Sequence, residues 1–470
     1  KTACESGDLA KLQGFGKKTV DNILHAIAFK EQHANRYHRD EVAKSASSIL
    51  DFLRNLPAAD QVAVAGSFRR ACETVGDLDF IVATRQPETI TKAFAKAPFA
   101  TRVLADGKTK TSIVLENGMQ CDLRAVHSEQ YPFALLYFTG SKDHNVALRS
   151  RARKSGWSLN EYGFSPIEEK HDGETADKPP NDITDERSLY QFLGLELIPP
   201  ALREQRGEIE AAETGTLPRL VEWTDLRGTF HNHTTASDGE ASLEEMADAA
   251  CHLGLEYLGI ADHSKASFQA NGLDANRLAS QLDEIKALNA RFEKQGSSFR
   301  ILSGSEVDIL KDGSLDFPDE LLAQLDYVVA SIHSSFGLTE KDQTQRLIRA
   351  MENPHVTMLG HLSGRLLLRR ESYAIDVPAI LECAAHTRTV IEFNANPWRL
   401  DMDWRHWQHA RELNILCAIN PDAHRVEDLA FLRLGTEVAA KGWLTKKDVL
   451  NTRPLARITQ FLKTPKNQRQ

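Results

Sequence analysis

The chain changes rhythm twice along its length. Residues 1–55 carry apolar positions at helical spacing, as in LAKLQGFGKKTVDNIL. Around 62–83 and 102–126 the text turns to short apolar or alternating runs, QVAVAG, LDFIVA, TSIVL and MQCDLRAV, which predict strands. Residues 127–198 are mixed and end at the breaker Pro199-Pro200. A polar stretch, LREQRGEIEAAETGTLPRLVEWTDLRG, follows and reads as a connector. After Leu226 a regular alternation sets in. The strand candidates are GTFHNH, YLGIADHS, RILSGSEVDI, DYVVASIHSS, VTMLGHLSG, TVIEFNAN and ILCAINPDAH, with helical runs such as SLEEMADAACHLG and RLASQLDEIKALNARFEKQ between most of them. Alternating β and α units imply a parallel sheet, and seven of them favour closure into a barrel.

At 470 residues, 41% of them hydrophobic, the chain is long enough for two or more cores. No apolar run suits a membrane span and no signal peptide opens the chain. It starts at Lys1 without an initiator Met, so we expect an N-terminal truncation. The six cysteines are scattered without a CxxC pair, which fits a reducing cytoplasm and gives no sign of a zinc finger or a disulfide framework. The net charge of −9 weighs against nucleic-acid binding for the chain as a whole, yet Lys142, Arg149, Arg151, Arg153 and Lys154 crowd one stretch. Taken alone, that run reads as a solvated helix face.

The polar ends of the second-half strands carry chemistry. They bear His231, His233 and Asp238, then Asp262 and His263, Glu306, His333, His361, and finally Asp422 and His424. In α/β barrels the C-terminal strand ends converge on one face. Imidazoles and carboxylates gathered there suit a multinuclear hydrolytic metal site. The motifs HNH, SDG, ADHS, IHSS, GHLSGR and PDAH over residues 226–430 resemble the PHP domain. The resemblance implies a distorted seven-stranded barrel and three metal ions, manganese or zinc. Its ligand places fall on His231, His233, Asp238, His263, Glu306, His333, His361, Asp422 and His424, with Glu306 suited to bridge two ions and Asp262 supporting from behind.

In the first half, AGSFRRACETVGDLDFIVA sets Gly66-Ser67 after a strand, where backbone can approach a phosphate. Ser67 and Arg70 suit triphosphate oxygens. Asp77 and Asp79 share one face of a strand by their spacing, and Asp122 lies on another strand. Such a set can hold two Mg²⁺. Gly-Ser followed by DxD resembles the nucleotidyltransferase superfamily. With LLYFTGSKDHNVALR and GWSLNEYGF, residues 1–198 resemble family X DNA polymerases. That resemblance implies Tyr137 and Phe138 near the sugar of an incoming dNTP, Gly140 in the same site, Asn145 at the minor-groove edge, and Gly76 near the triphosphate. The turn Gly14-Phe15-Gly16-Lys17-Lys18 reads as a helix-hairpin-helix element gripping a DNA phosphate. In this context Arg149 and Arg151 read as part of a DNA track. The family's usual preceding lyase-like domain is missing from the sequence, so neither 5′-phosphate gap binding nor lyase activity is expected.

The expected organisation is multidomain α/β. Helical fingers occupy 1–55, a nucleotidyltransferase palm 56–126, a thumb 127–198, a linker 199–225 and a PHP barrel 226–465. The expected function is a DNA polymerase with a metal-dependent 3′–5′ exonuclease. It would act on primer-template or gapped DNA in gap filling and base excision repair, with possible incision at abasic sites, as a cytoplasmic monomer without membrane contact. Two rivals are a PHP-type phosphatase with a degenerate DNA-binding front half, and a DNA-binding scaffold with a structural metal barrel. The intact Asp77, Asp79 and Asp122 argue against the first, and the filled ligand set against the second.

Overall fold

A computed structural model describes all residues except 13, 33, 168–181 and 470. These residues divide into two compact units, Lys1–Gln205 with Leu366–Arg370, and Arg206–Arg365 with Glu371–Gln470. No helix among them is long and apolar enough to cross a membrane.

The first unit contains β1 (Tyr37–His38), β2 (Gln61–Val64), β3 (Thr74–Val75), β4 (Asp77–Ala83), β5 (Arg102–Asp106), β6 (Lys110–Val114), β7 (Gln120–Val126) and the hairpin β8 (Trp157–Asn160) and β9 (Gly163–Pro166). Its main sheet runs β2-β4-β7-β6-β5, with β4 and β7 parallel at the centre. Side-chain alternation sets the two faces. Leu78 and Phe80 of β4 and Cys121, Leu123 and Ala125 of β7 point into the core, where the helix Arg39–Arg54 lays down Val42, Ala46, Ile49 and Leu53 at helical spacing. Truncating a fully buried ring such as Phe80 to alanine costs about 3–5 kcal/mol. The opposite face is covered by the helix Tyr131–Thr139, whose Tyr131, Ala134 and Leu135 meet Ala65, Ile81 and Ala83. Farther along, Glu186 joins Arg69 (2.7 Å) and Arg203 (2.6 Å), tying the helix Glu186–Phe192 to the sheet unit.

The second unit is a ring of seven parallel strands in sequence order, β10 (Gly228–Thr229), β11 (Tyr257–Ile260), β12 (Arg300–Asp308), β13 (Tyr327–Ser331), β14 (Met358–Leu359), β15 (Val390–Asn394) and β16 (Cys417–Asn420). The first and last strands nearly close it. Asn232 bridges Ala423, and the Phe230 N–H donates to Asn420 Oδ1 at 3.0 Å. Strands buried on both faces explain the continuous apolar runs. Tyr257 and Tyr327 fill the interior, and each needs a glycine opposite. A Cβ at Gly228 would overlap the Tyr257 ring, and one at Gly304 the Tyr327 ring. The Tyr327 hydroxyl donates towards the carbonyls of Phe230 and Ile260. It thereby pins the strand ends from which the polar cluster rises.

The polar stretch after Pro200 differs from the connector its composition predicts. Glu208–Thr214 is a helix with Ile209, Ala211 and Ala212 buried, and Arg206 donates to Gln408 (2.9 Å) and to the Arg405 carbonyl (2.7 Å). The buried apolar side chains of the stretch, Leu202, Ile209, Ala211, Ala212, Val221 and Leu226, are spread too thinly to stand out in a charged sequence. The N-terminal hairpin is also asymmetric. Its first arm is a single 3₁₀ turn, Leu9–Lys11, and the second is the full helix Lys17–Gln32.

Candidate functional site

In the first unit Asp79 and Asp122 are register partners on parallel β4 and β7, and Asp77 shares the Asp79 face. Burial raises the Asp79 carboxyl to about 7, and the charges of Asp77 and Asp122 add to this. Asp77 is raised too, by burial of its carboxyl and by Asp122. Asp122 runs the other way. Against its burial, hydrogen bonds from Lys110, Gln120 and Ser112 hold it below the usual carboxylate range, with Lys110 Nζ at 2.9 Å. Mutual repulsion among three oxygen-rich groups is what a hard divalent cation relieves, so the donor set fits Mg²⁺. Gly66 explains how the neighbouring turn comes so close. Its φ is +61°, and a Cβ there would collide with Asp79 Oδ2.

The other expected nucleotide residues gather along the same edge of the unit. Ser67 lies in the short helix Gly66–Arg69, and Gly76 joins β3 to β4. Tyr137 and Phe138 stack edge-on at the end of their helix, and Asn145 Nδ2 donates to the Tyr137 carbonyl at 2.7 Å. Gly140 has φ +70°, and a Cβ there would sit 3.2 Å from Arg70 Nη1. Arg70 is engaged within the protein. It pairs with Glu204 at 3.0 Å and donates to the Thr139 carbonyl, so a triphosphate would have to compete for it.

The basic run divides. Lys142, Arg149, Arg153 and Lys154 are exposed on the helix Lys142–Lys154. Arg151 turns inward and donates to the Leu193 carbonyl at 2.7 Å, finishing the helix Glu186–Phe192. It caps that helix, a bond that contact with DNA would have to leave intact or share. Gly14 takes φ +93°, and Gly16, Lys17 and Lys18 are exposed at the start of their helix.

In the second unit all nine expected ligand positions lie at the C-terminal mouth of the barrel. Three groups bring ligand atoms within 4.8 Å of one another, namely His233, Asp238, His263 and His424; His231, His233 and Asp422; and His263, Glu306 and His333. His361 completes the ring, its Nε2 2.8 Å from Glu306 Oε1. Glu306 is fully buried and faces five imidazoles. One oxygen lies 2.9 Å from His263 and 3.4 Å from His231, with His233 at 3.7 Å, and the other lies 3.2 Å from His333. Despite this crowding, His231 Nε2, both nitrogens of His233, His263 Nδ1, His333 Nε2, His361 Nδ1 and Glu306 Oε2 make no well-directed hydrogen bond. Buried polar atoms are rarely left so. Seven orphaned donor atoms on one mouth fit metal ions as their missing partners. Burial, followed by His424 and His263, lowers His233 to about 3 and so keeps it in the neutral, ligating form. Two of the nine carry positive φ, His361 at +23° and Asp422 at +51°.

A further layer orients these groups. His231 Nδ1 lies 2.7 Å from Glu392 Oε1, which directs its Nε2 towards Glu306 and Asp422. His333 Nδ1 lies 3.1 Å from Asp308 Oδ1. Asp422 accepts from Asn394 at 3.0 Å and pairs with Arg399 at 3.2 Å. Asp262 accepts from the Thr234 and Ser237 hydroxyls and from Gln281, in keeping with a supporting role. Sequence reasoning missed Glu392, Asp308, Arg399 and, in the first unit, Lys110. Asp308 was findable, because it stands two positions after Glu306 on the same strand face.

The comparisons agree with this geometry. Three family models match, the DNA polymerase beta palm over residues 36–131, the DNA polymerase beta thumb over 134–204 and the PHP domain over 229–396. The chain is 42% identical over 465 residues to the DNA polymerase/3′-5′ exonuclease PolX of Bacillus subtilis, a match covering 98% of this chain and 79% of that protein. Half of the chain also matches a probable phosphatase of a Thermoanaerobacter species, at 28% identity over 94% of that protein. A probable phosphatase of Caldicellulosiruptor saccharolyticus is 30% identical over 43% of this chain. The chain belongs to the family X DNA polymerases that carry a PHP domain.

Proposed function

We infer that the chain is a DNA-directed DNA polymerase and a 3′–5′ exonuclease, working in gap filling and base excision repair, with incision at abasic sites within reach of the barrel. One observation carries this reading. The chain that sets Asp79 beside Asp122 on paired strands also gathers nine imidazoles and carboxylates at a barrel mouth, six of them with a donor atom unspent.

In the palm, Asp77, Asp79 and Asp122 would hold two Mg²⁺. Ser67, Arg70 and the Gly66 and Gly76 backbones would take the triphosphate, and Tyr137, Phe138, Gly140 and Asn145 the sugar and base edge. Gly14, Gly16, Lys17, Lys18 and Arg149 would hold DNA phosphates. In the barrel, His231, His233, Asp238, His263, Glu306, His333, His361, Asp422 and His424 would hold up to three Mn²⁺ or Zn²⁺. Bound divalent metal supplies Lewis acidity to the phosphoryl group and to the attacking oxygen at both sites. The chain's own part in hydrolysis is positional. Glu392 and Asp308 fix the tautomers of His231 and His333, and against its burial Asp422 is kept ionised by His231, the His233 hydrogen bond and Arg399. Water then displaces the terminal nucleotide, breaking the P–O3′ bond and leaving a shortened strand with a 3′-hydroxyl and a 5′-mononucleotide. All six cysteines are free, which suits the cytoplasm, and a monomer suffices because each site is built from one chain.

The test is a labelled primer-template incubated with dNTP and Mg²⁺, or with Mn²⁺ alone. Extension in the first tube and 3′ shortening in the second support the reading. Hydrolysis of small phosphomonoesters with neither DNA reaction would favour a phosphatase.

A further inference from the structure

Phe268 stands out on the rim of the barrel mouth. It is 88% exposed, more than any other large apolar side chain among the described residues. It opens a 3₁₀ turn, Phe268–Ala270, in the loop that follows the ligand position His263. This loop is held at many points. The Ser264 N–H donates to the Glu306 carbonyl at 2.9 Å, and the Leu273 N–H to the His263 carbonyl at 2.7 Å. Ser267, the residue before Phe268, donates its hydroxyl to Asp308 at 2.5 Å and lies 3.3 Å from His333 Nδ1. On the far side, Arg277 donates to the Asn271 and Gly272 carbonyls and also to that of Ala236, while Asn271 reaches the Ser237 carbonyl, next to Asp238. Gly272 packs so tightly that a Cβ would overlap the Ser264 carbonyl.

A floppy tip could expose a ring by accident, but this loop is braced on both flanks to the residues that form the cluster. The backbone that carries the ring is thus held in place, one residue from a side chain that touches His333. Three positions earlier Lys265 is exposed on the same loop. An aromatic face beside a cation is how proteins hold single-stranded nucleic acid without reading its sequence, because every base has a π-face.

We propose that this loop is a nucleobase subsite. Phe268 stacks on the 3′-terminal base of a single-stranded or frayed DNA end, Lys265 meets a backbone phosphate, and the terminal phosphodiester is thereby set over the metal-ligand cluster. The subsite makes the barrel prefer unpaired polynucleotide ends to small phosphoesters, which have no base to stack. It rests on the exonuclease reading above.

The test uses the full chain and an oligonucleotide ending in 2-aminopurine, bound in Ca²⁺ so that hydrolysis does not intrude. Wild type should quench the terminal fluorophore. Phe268→Ala should lose the quench, bind roughly tenfold more weakly and raise KM for 3′ shortening in Mn²⁺ by a similar factor. Phe268→Trp should restore all three. Hydrolysis of a small diester without a nucleobase, methyl 4-nitrophenyl phosphate, should stay within about twofold in both variants, which a merely structural role would not allow. Equal quenching by wild type and Phe268→Ala overturns the subsite, as does a parallel loss of small-diester hydrolysis. Quenching that depends on Phe268, in a wild type that leaves DNA unshortened, instead overturns the exonuclease reading and leaves the subsite standing.

Discussion

Glu392 accepts from His231 Nδ1 at 2.7 Å, and this single contact decides which nitrogen of His231 faces the cluster. The same carboxylate accepts from the His361 N–H, from Asn420 and from Asn394, so each of its oxygens meets two donors. A glutamine cannot reproduce that, because its amide nitrogen would point at donors in either orientation.

Glu392→Gln should therefore weaken Mn²⁺ binding roughly 10- to 100-fold and slow 3′ shortening at limiting metal. Primer extension should be unchanged. Titrating both activities with Mn²⁺ and Mg²⁺ separates the effects, and equal metal affinity in the variant would remove Glu392 from the account.

Gly66→Ala should cripple extension while sparing the nuclease. The new Cβ meets the Asp79 carboxylate and also carries φ +61°, so the paired aspartates must move apart. Far-UV circular dichroism should match wild type, and extension should fall by at least about 100-fold.

The acid response of the first unit should trace to Glu186. Against its burial, Arg203 and Arg69 lower its carboxyl to about 2. A depressed carboxyl pKa gives stability that is full above the unfolded value of about 4.5 and lost as pH falls towards about 2. The advantage of wild type over Glu186→Gln should be roughly 3 kcal/mol at pH 7 in urea unfolding and should shrink steadily below pH 4.5. A constant difference across that range would contradict the assignment.

Much of this was legible in the sequence because strands write their chemistry at their ends. His231 and His233 show period-two spacing as Asp77 and Asp79 do, and each barrel strand closes on a polar residue that the ring must carry to one mouth. What stayed hidden depends on pairs distant in sequence. Glu392 is a lone acid in an apolar strand until the barrel closes it onto His231, 161 positions away. Lys110 reads as a surface lysine until β6 pairs with β7 and sets it against Asp122. Arg151 looked like its neighbours because helical phase alone does not reveal that a second helix ends beside it.

The most direct measurement of the central claim, one chain with two independent phosphoryl-transfer sites, compares two variants on one primer-template. Asp122→Ala should lose extension with dNTP and Mg²⁺ yet shorten the primer in Mn²⁺ at the wild-type rate. His333→Ala should do the reverse. Loss of both activities in either variant, or 3′ shortening that persists in His333→Ala, would contradict the account.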